Sequence, residues 1–243
     1  MIQTWDKHGE LHSDNGPAMV YMNGSKFWYQ HGELHRIGGP AIEEPQGKKW
    51  YQYDLLHRDD GPAVELVNGT KMWYQYGLLH RDGGPAIEEP KGKEWYQYGL
   101  RHRDDAPAVE RLDGTKMWYQ HDKLHRDDGP AVELISGTKE WYQYGELHRD
   151  DGPAVERLNG TKKWYQRGRL HRDDGPAVEF NIGIKHWYQY GKRHRLDGPA
   201  IMHPNHLKIY YFEGYKISKE ALEKIASRPR AKAIAVINKY YKI

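Results

Sequence analysis

The chain has 243 residues, of which 37% are hydrophobic and 29% charged, with a net charge of +3 and no cysteine. Disulfides, Cys-based metal sites and cysteine nucleophiles are thereby excluded, and a mean hydropathy of −1.00 speaks against a thick globular core. Nine Trp and 19 Tyr nonetheless bring large apolar area at few rotatable bonds, which excludes disorder and suits a thin sheet with stacked aromatics.

The opening residues MIQTWDKHGE are polar and enter a repeat by Trp5. No signal peptide is expected from them, and no apolar run reaches the length of a membrane span. A soluble intracellular protein in the cytoplasm is the expectation, with a virion as a second possible location. Tryptophans then follow at Trp28, Trp50, Trp73, Trp95, Trp118, Trp141, Trp164 and Trp187, spaced 22 or 23 residues apart. Each is trailed seven positions later by a histidine: His12, His35, His57, His80, His102, His125, His148, His171 and His194. Self-similarity at this period marks a repeat array. These Trp and His residues are read as structural positions of the repeat.

Within a copy, Pro62–Tyr76 (PAVELVNGTKMWYQY) predicts a β-hairpin turning at Asn68-Gly69. A two-residue type I′ loop there pairs Val67 with Thr70 and Val64 with Trp73, giving a row of β-branched–aromatic cross-strand pairs. The copies at Ala41–Trp50 and Ala86–Trp95 are one residue shorter. They predict a three-residue Pro45-Gln46-Gly47 loop with Ile42 opposite Trp50 and Glu44 facing Lys48. A glycine or Asp four residues after the tryptophan (Gly77, Asp54) predicts a further turn. The connector Leu-His-Arg-Asp-Asp-Gly-Pro-Ala then leads into the next hairpin. The fold expected is mainly β: an elongated single-layer antiparallel meander of nine hairpin repeats, two strands each. At about 4.8 Å per strand it would run on the order of 85 Å.

The ends depart from the pattern. Trp5 has no Pro-Ala strand before it, so its strand is expected to be an unpaired edge, open to a partner or a second copy. Tyr210-Tyr211-Phe212-Glu213-Gly214 reads as a closing half-unit. Ser218 is then suited to N-cap a helix ending before Pro229, and Ile234, Ile237 and Tyr241 share a face of a second one. The expected organisation is an array over 1–214 and a helical cap over 215–243. Residues 205–243 carry nine Lys/Arg against three Glu, whereas the rest carries 28 basic and 31 acidic side chains.

Tyr74, Gly77, Leu79, His80, Gly84 and Gly92, with the turn glycine and Trp-Tyr that recur around them, resemble the MORN repeat family over residues 5 to about 214. Where that family has His-Gly and a further glycine, this chain has His-Arg-Asp-Asp-Gly-Pro-Ala, and it looks more like the divergent MORN-type arrays of large DNA viruses, phages and bacteria. The resemblance implies a single-layer β-ribbon used for protein contacts, with lipid contact in some members.

His-Arg-Asp also occurs in protein-kinase catalytic loops, but no glycine-rich phosphate loop or Asp-Phe-Gly accompanies it here. A metal on the repeating His/Asp edge is opposed by copies about 10 Å apart. It is opposed too by Asn15, Ile37, Gly38, Gly83 and Leu196, which stand in the Asp slots of some copies. No catalytic residue, metal ligand or cofactor is expected. The slight acidity of the array opposes a nucleic-acid backbone, and the basic tail reads as a solvated helix face rather than a membrane contact. The function expected is a non-enzymatic interaction or scaffold protein, with viral or phage assembly or host contact as its setting and no small-molecule substrate. Candidate partner contacts are Trp5, the acidic-proline turns Glu43-Glu44 and Glu88-Glu89, and Arg228, Arg230, Lys232 and Lys239 in the tail. The alternative is a ligand-binding protein (nucleic acid, acidic membrane or small molecule) or a metal-dependent one, using the His/Asp edge.

Overall fold

A computed structural model of the chain describes residues 1–227. It is mainly β and antiparallel, ends in one short helix, and is not closed into a barrel. By internal contacts it divides into two units, Met1–Lys123 and Leu124 onward. In the first, the main-sheet strands pair in chain order as a meander, from Ile2–Gln3 on Met19–Val20 to Val109–Arg111 on Lys116–Met117. In the second, the same succession runs from Val132–Glu133 to Lys208–Phe212 and Tyr215–Ile217.

Each copy has more strands than the sequence predicts. The main hairpin Val64–Leu66/Lys71–Met72 stops before Trp73, and a second, smaller hairpin follows, Tyr74–Gln75 against Leu78–Leu79. The tryptophan sits at the junction of the two. Its N–H donates to Ala86 O of the following copy at 2.8 Å, and its carbonyl accepts from His80 N at 3.1 Å. The N–H bond continues the pairing with the next main hairpin while the carbonyl serves the small one, and the place opposite Val64 is taken by Met72.

The register is accordingly one residue off the expected one, and the two loop lengths are exchanged. Val64 faces Met72 and Glu65 faces Lys71, so the loop is Val67-Asn68-Gly69. Of these only Gly69 has positive φ, +87°. The loop is a type I turn followed by a left-handed glycine, held by Gly69 N–H on Leu66 O and by Thr70 N–H on Asn68 Oδ1. In the shorter copy Ile42 faces Lys49 and Glu44 faces Gly47, leaving the two-residue loop Pro45-Gln46. Proline fixes φ near −65° and cannot enter a type I′ turn. The type I′ geometry belongs instead to the small hairpin, at Tyr76 (φ 48°) and Gly77 (φ 80°). The missing residue of the 22-residue copies is absorbed in the turn.

The core is thin and regular. Ala41, Ala63, Ala86, Ala108, Ala131, Ala154, Ala177 and Ala200 are wholly buried, each beside a buried or half-buried Ile or Val. Trp5 is not an unpaired edge: it bridges Leu11 in its own small hairpin, and the outermost strand is Ile2–Gln3. At the other end Glu213 and Gly214 form the last left-handed pair, and helix α1 (Lys219–Ala226) follows, its Ala221 N–H capped by Ser218 Oγ. Phe212, Ile217, Leu222 and Ile225 bury together beneath it. The second run expected around Ile234, Ile237 and Tyr241 lies outside the described residues. Among the described residues no helix is long and apolar enough to cross a membrane.

Candidate interaction surfaces

The repeating His-Arg-Asp-Asp motif is consumed by the fold. In the copy that begins at Trp50, the His57 ring is buried and its Nδ1 accepts the Tyr76 N–H of the next turn at 3.2 Å. The ring proton therefore sits on Nε2, which faces Asp59 Oδ1 at 3.2 Å. Tyr76 stacks on that ring with centroids 4.4 Å apart. Arg58 lies over the Trp50 indole at 4.1 Å. Its Nε donates to Asp60 at 2.7 Å and its Nη1 to Pro62 O and Glu65 Oε1. A Cβ on Gly61 would stand 2.9 Å from the guanidinium carbon, so the arginine is sandwiched between an aromatic face and a bare backbone. The same stack recurs at Arg36–Trp28, Arg81–Trp73, Arg103–Trp95, Arg149–Trp141, Arg172–Trp164 and Arg195–Trp187.

Each buried histidine thus ties one copy to the turn of the next. His57→Ala is expected to cost about 1–3 kcal/mol, the penalty for a lost bond and an unpaired Tyr76 N–H. Urea unfolding of the full chain followed by tryptophan fluorescence checks this; a change under about 0.3 kcal/mol would contradict the assignment.

The acidic-proline turns are not free carboxylates. Glu43 pairs with Arg36 at 3.1 Å, Glu44 with Lys49 at 3.5 Å, Glu88 with Arg81 at 2.8 Å and Glu89 with Arg111 at 2.6 Å. Trp5 is 55% exposed. Arg228, Arg230, Lys232 and Lys239 lie outside the described residues.

Three features had no counterpart in the sequence reading. The first is a row of exposed aliphatic side chains at the main-hairpin turns: Met22, Val67 and Leu112 in one unit, Ile135, Leu158 and Ile182 in the other, 64–97% exposed. The second is a network around Glu94, whose side chain is nearly buried. It accepts from Arg111 at 2.6 Å, the Tyr96 hydroxyl at 2.8 Å and Arg101 at 3.2 Å. Burial, and then the bond to Glu94, pushes the Tyr96 hydroxyl well above its ordinary range. The third is Asp6 in the first copy, in the slot held elsewhere by tyrosine. Its Oδ1 accepts the His8 and Glu10 N–H groups and its Oδ2 lies 3.1 Å from His31 Nδ1. The Glu10 N–H and then the His31 ring hold its carboxyl down at about 2.

No protein-family model matches the chain, and no curated protein matches it in sequence.

Proposed function

We propose that this is a non-enzymatic, MORN-type repeat protein that binds a protein partner along the turn edge of its main hairpins. The aliphatic row carries the reading. The first residue of a three-residue loop can be any amino acid of negative φ, and water favours a polar one there, yet Met22, Val67, Leu112, Ile135 and Leu158 occupy it. Exposed apolar side chains scattered singly are normal, but their recurrence at one structural position within each unit supports an interaction role. Each is followed closely by a lysine (Lys26, Lys71, Lys116, Lys139, Lys162) that is exposed and has no ion-pair partner among the described residues. A matching surface would present apolar side chains flanked by carboxylates. The motif's own His, Arg and Asp groups are engaged in holding the fold, which favours binding over chemistry at that edge.

The test compares three full-length baits in capture from the source lysate: the native chain, the Val67→Ser/Leu112→Ser/Ile135→Ser/Leu158→Ser variant, and Trp5→Ala. The tip variant is expected to lose the specific partner while its unfolding midpoint is nearly unchanged, because exposed sites cost within about 0.5 kcal/mol each. Trp5→Ala is expected to keep it. A partner retained by the tip variant, or lost only when the chain is ended at Gly214, would move recognition elsewhere.

A further inference from the structure

We infer that Asp6, Glu10 and His31 form a binding site for a single divalent transition-metal ion of the zinc class. The repeat's own geometry assembles the three donors. Where the small-hairpin turn carries a glycine, the residue that opens the return strand of the preceding small hairpin is laid over it. Leu55 lies against Gly77, Leu78 against Gly99, and Glu10 against Gly32, the glycine's notional Cβ standing 3.7 Å from Glu10 Cβ. Glu10 is therefore held beside residue 31, the left-handed turn position (φ 48°), which here is a histidine. The third donor comes from the slot where other copies have Tyr29, Tyr51 or Tyr74; the first copy has Asp6 instead.

No other copy brings these three residue types together. Glu146 is likewise laid over Gly168, but its neighbours at the corresponding positions are Arg167 and Tyr142. Among the described residues Asp6, Glu10 and His31 are the group whose donor atoms all fall within 4.8 Å of one another. Ligands about 2.1 Å from zinc stand roughly 3–3.5 Å apart in a tetrahedral shell. Asp6 Oδ2 and His31 Nδ1 are already 3.1 Å apart. Only the exposed Glu10 carboxylate has to swing in, with water completing the shell. One imidazole with two carboxylates suits zinc, nickel or cobalt better than calcium or magnesium, which take all-oxygen sets. The site differs from the repeating His/Asp edge: among the described residues it uses the copy in which such donors from two successive repeats converge.

The probe is zinc chloride titrated calorimetrically into the tag-free full chain, beside Asp6→Asn, Glu10→Gln, His31→Asn and the control His203→Gln. Asp6→Asn keeps an acceptor for the two N–H groups, and asparagine tolerates the left-handed backbone at 31, so folding is preserved. Expected are one ion per chain and affinity at least about tenfold weaker in each of the three ligand variants, with the control unchanged. Circular dichroism confirms the fold of each. Absence of saturable binding up to 1 mM zinc (a concentration chosen about a thousandfold above a micromolar site), or equal affinity in all variants, overturns the assignment.

Discussion

Replacing Gly47 by alanine is expected to destabilise the first unit by about 3–5 kcal/mol, above the usual range for a point mutation because the new Cβ meets paired backbone. Gly47 opens the returning strand of a 22-residue copy and has φ +154°. A Cβ built there would lie 2.2 Å from Glu65 O and 2.9 Å from Leu66 Cα, both atoms of the neighbouring strand. A flexible side chain can rotate away; a paired backbone cannot without opening the ladder of Gly47–Lys49 on Val64–Leu66. Gly92 repeats the arrangement in the other short copy, 2.4 Å from Glu110 O.

The informative control is Gly69→Ala. Gly69 is also left-handed, at +87°, but nothing lies within 4 Å of its notional Cβ. Alanine there incurs only the left-handed strain, about 1–2 kcal/mol. Urea unfolding of the native chain and the two full-length variants, read by tryptophan fluorescence with amide exchange at Glu65 and Leu66, separates the two effects. If Gly47→Ala costs no more than Gly69→Ala, the close approach of the strands is wrong.

These glycines show where sequence reading reaches and where it stops. The period, the glycine turns, the absorption of one missing residue in a loop and the Ser218 cap were all legible, since each is a local signal. The register was not. Asn68-Gly69 is the strongest short hairpin dipeptide, and it drew the two-residue turn away from Tyr76-Gly77, where a tyrosine at φ 48° gives no such signal. That single slip placed Val67 inside a strand, opposite Thr70, and so hid the row of exposed turn residues. It also put Trp73 opposite Val64, a place that Met72 holds. Glu94 and Asp6 escaped for a different reason. Arg111 reaches Glu94 across 17 positions and His31 reaches Asp6 across 25, and no periodic pattern announces contacts made by residues that break the pattern.

Glu94→Ala is the second large effect, an expected loss of about 3 kcal/mol, toward the lower end for breaking a buried ion pair because both arginines keep some solvent. The carboxylate is the shared acceptor of Arg111, Arg101 and Tyr96, while Arg111 also holds Glu89 and Arg101 also holds Asp122. Removing it leaves two guanidinium groups facing each other with one carboxylate each at the periphery. Loss of packing is separable from loss of charge, because other copies fill the equivalent slots with apolar residues. Around Trp118, Met117 stands where Glu94 does, Leu124 where Arg101 does and Leu134 where Arg111 does. In that copy the tyrosine hydroxyl turns to sulfur, Tyr119 lying 3.9 Å from Met117. Glu94→Met alone restores volume but still strands the arginines, and is expected to recover less than half of the loss. The triple change Glu94→Met/Arg101→Leu/Arg111→Leu removes the carboxylate and both arginines together, leaving only the solvent-accessible Glu89 and Asp122 and the Tyr96 hydroxyl, and is expected to fall within about 1 kcal/mol of the native chain, as buried ion networks replaced by apolar residues often do. Urea midpoints of the four proteins decide the matter. A triple variant no more stable than Glu94→Ala would mean that the polar cluster contributes net stability of its own, and that the apolar copies beside it owe their stability to different neighbours.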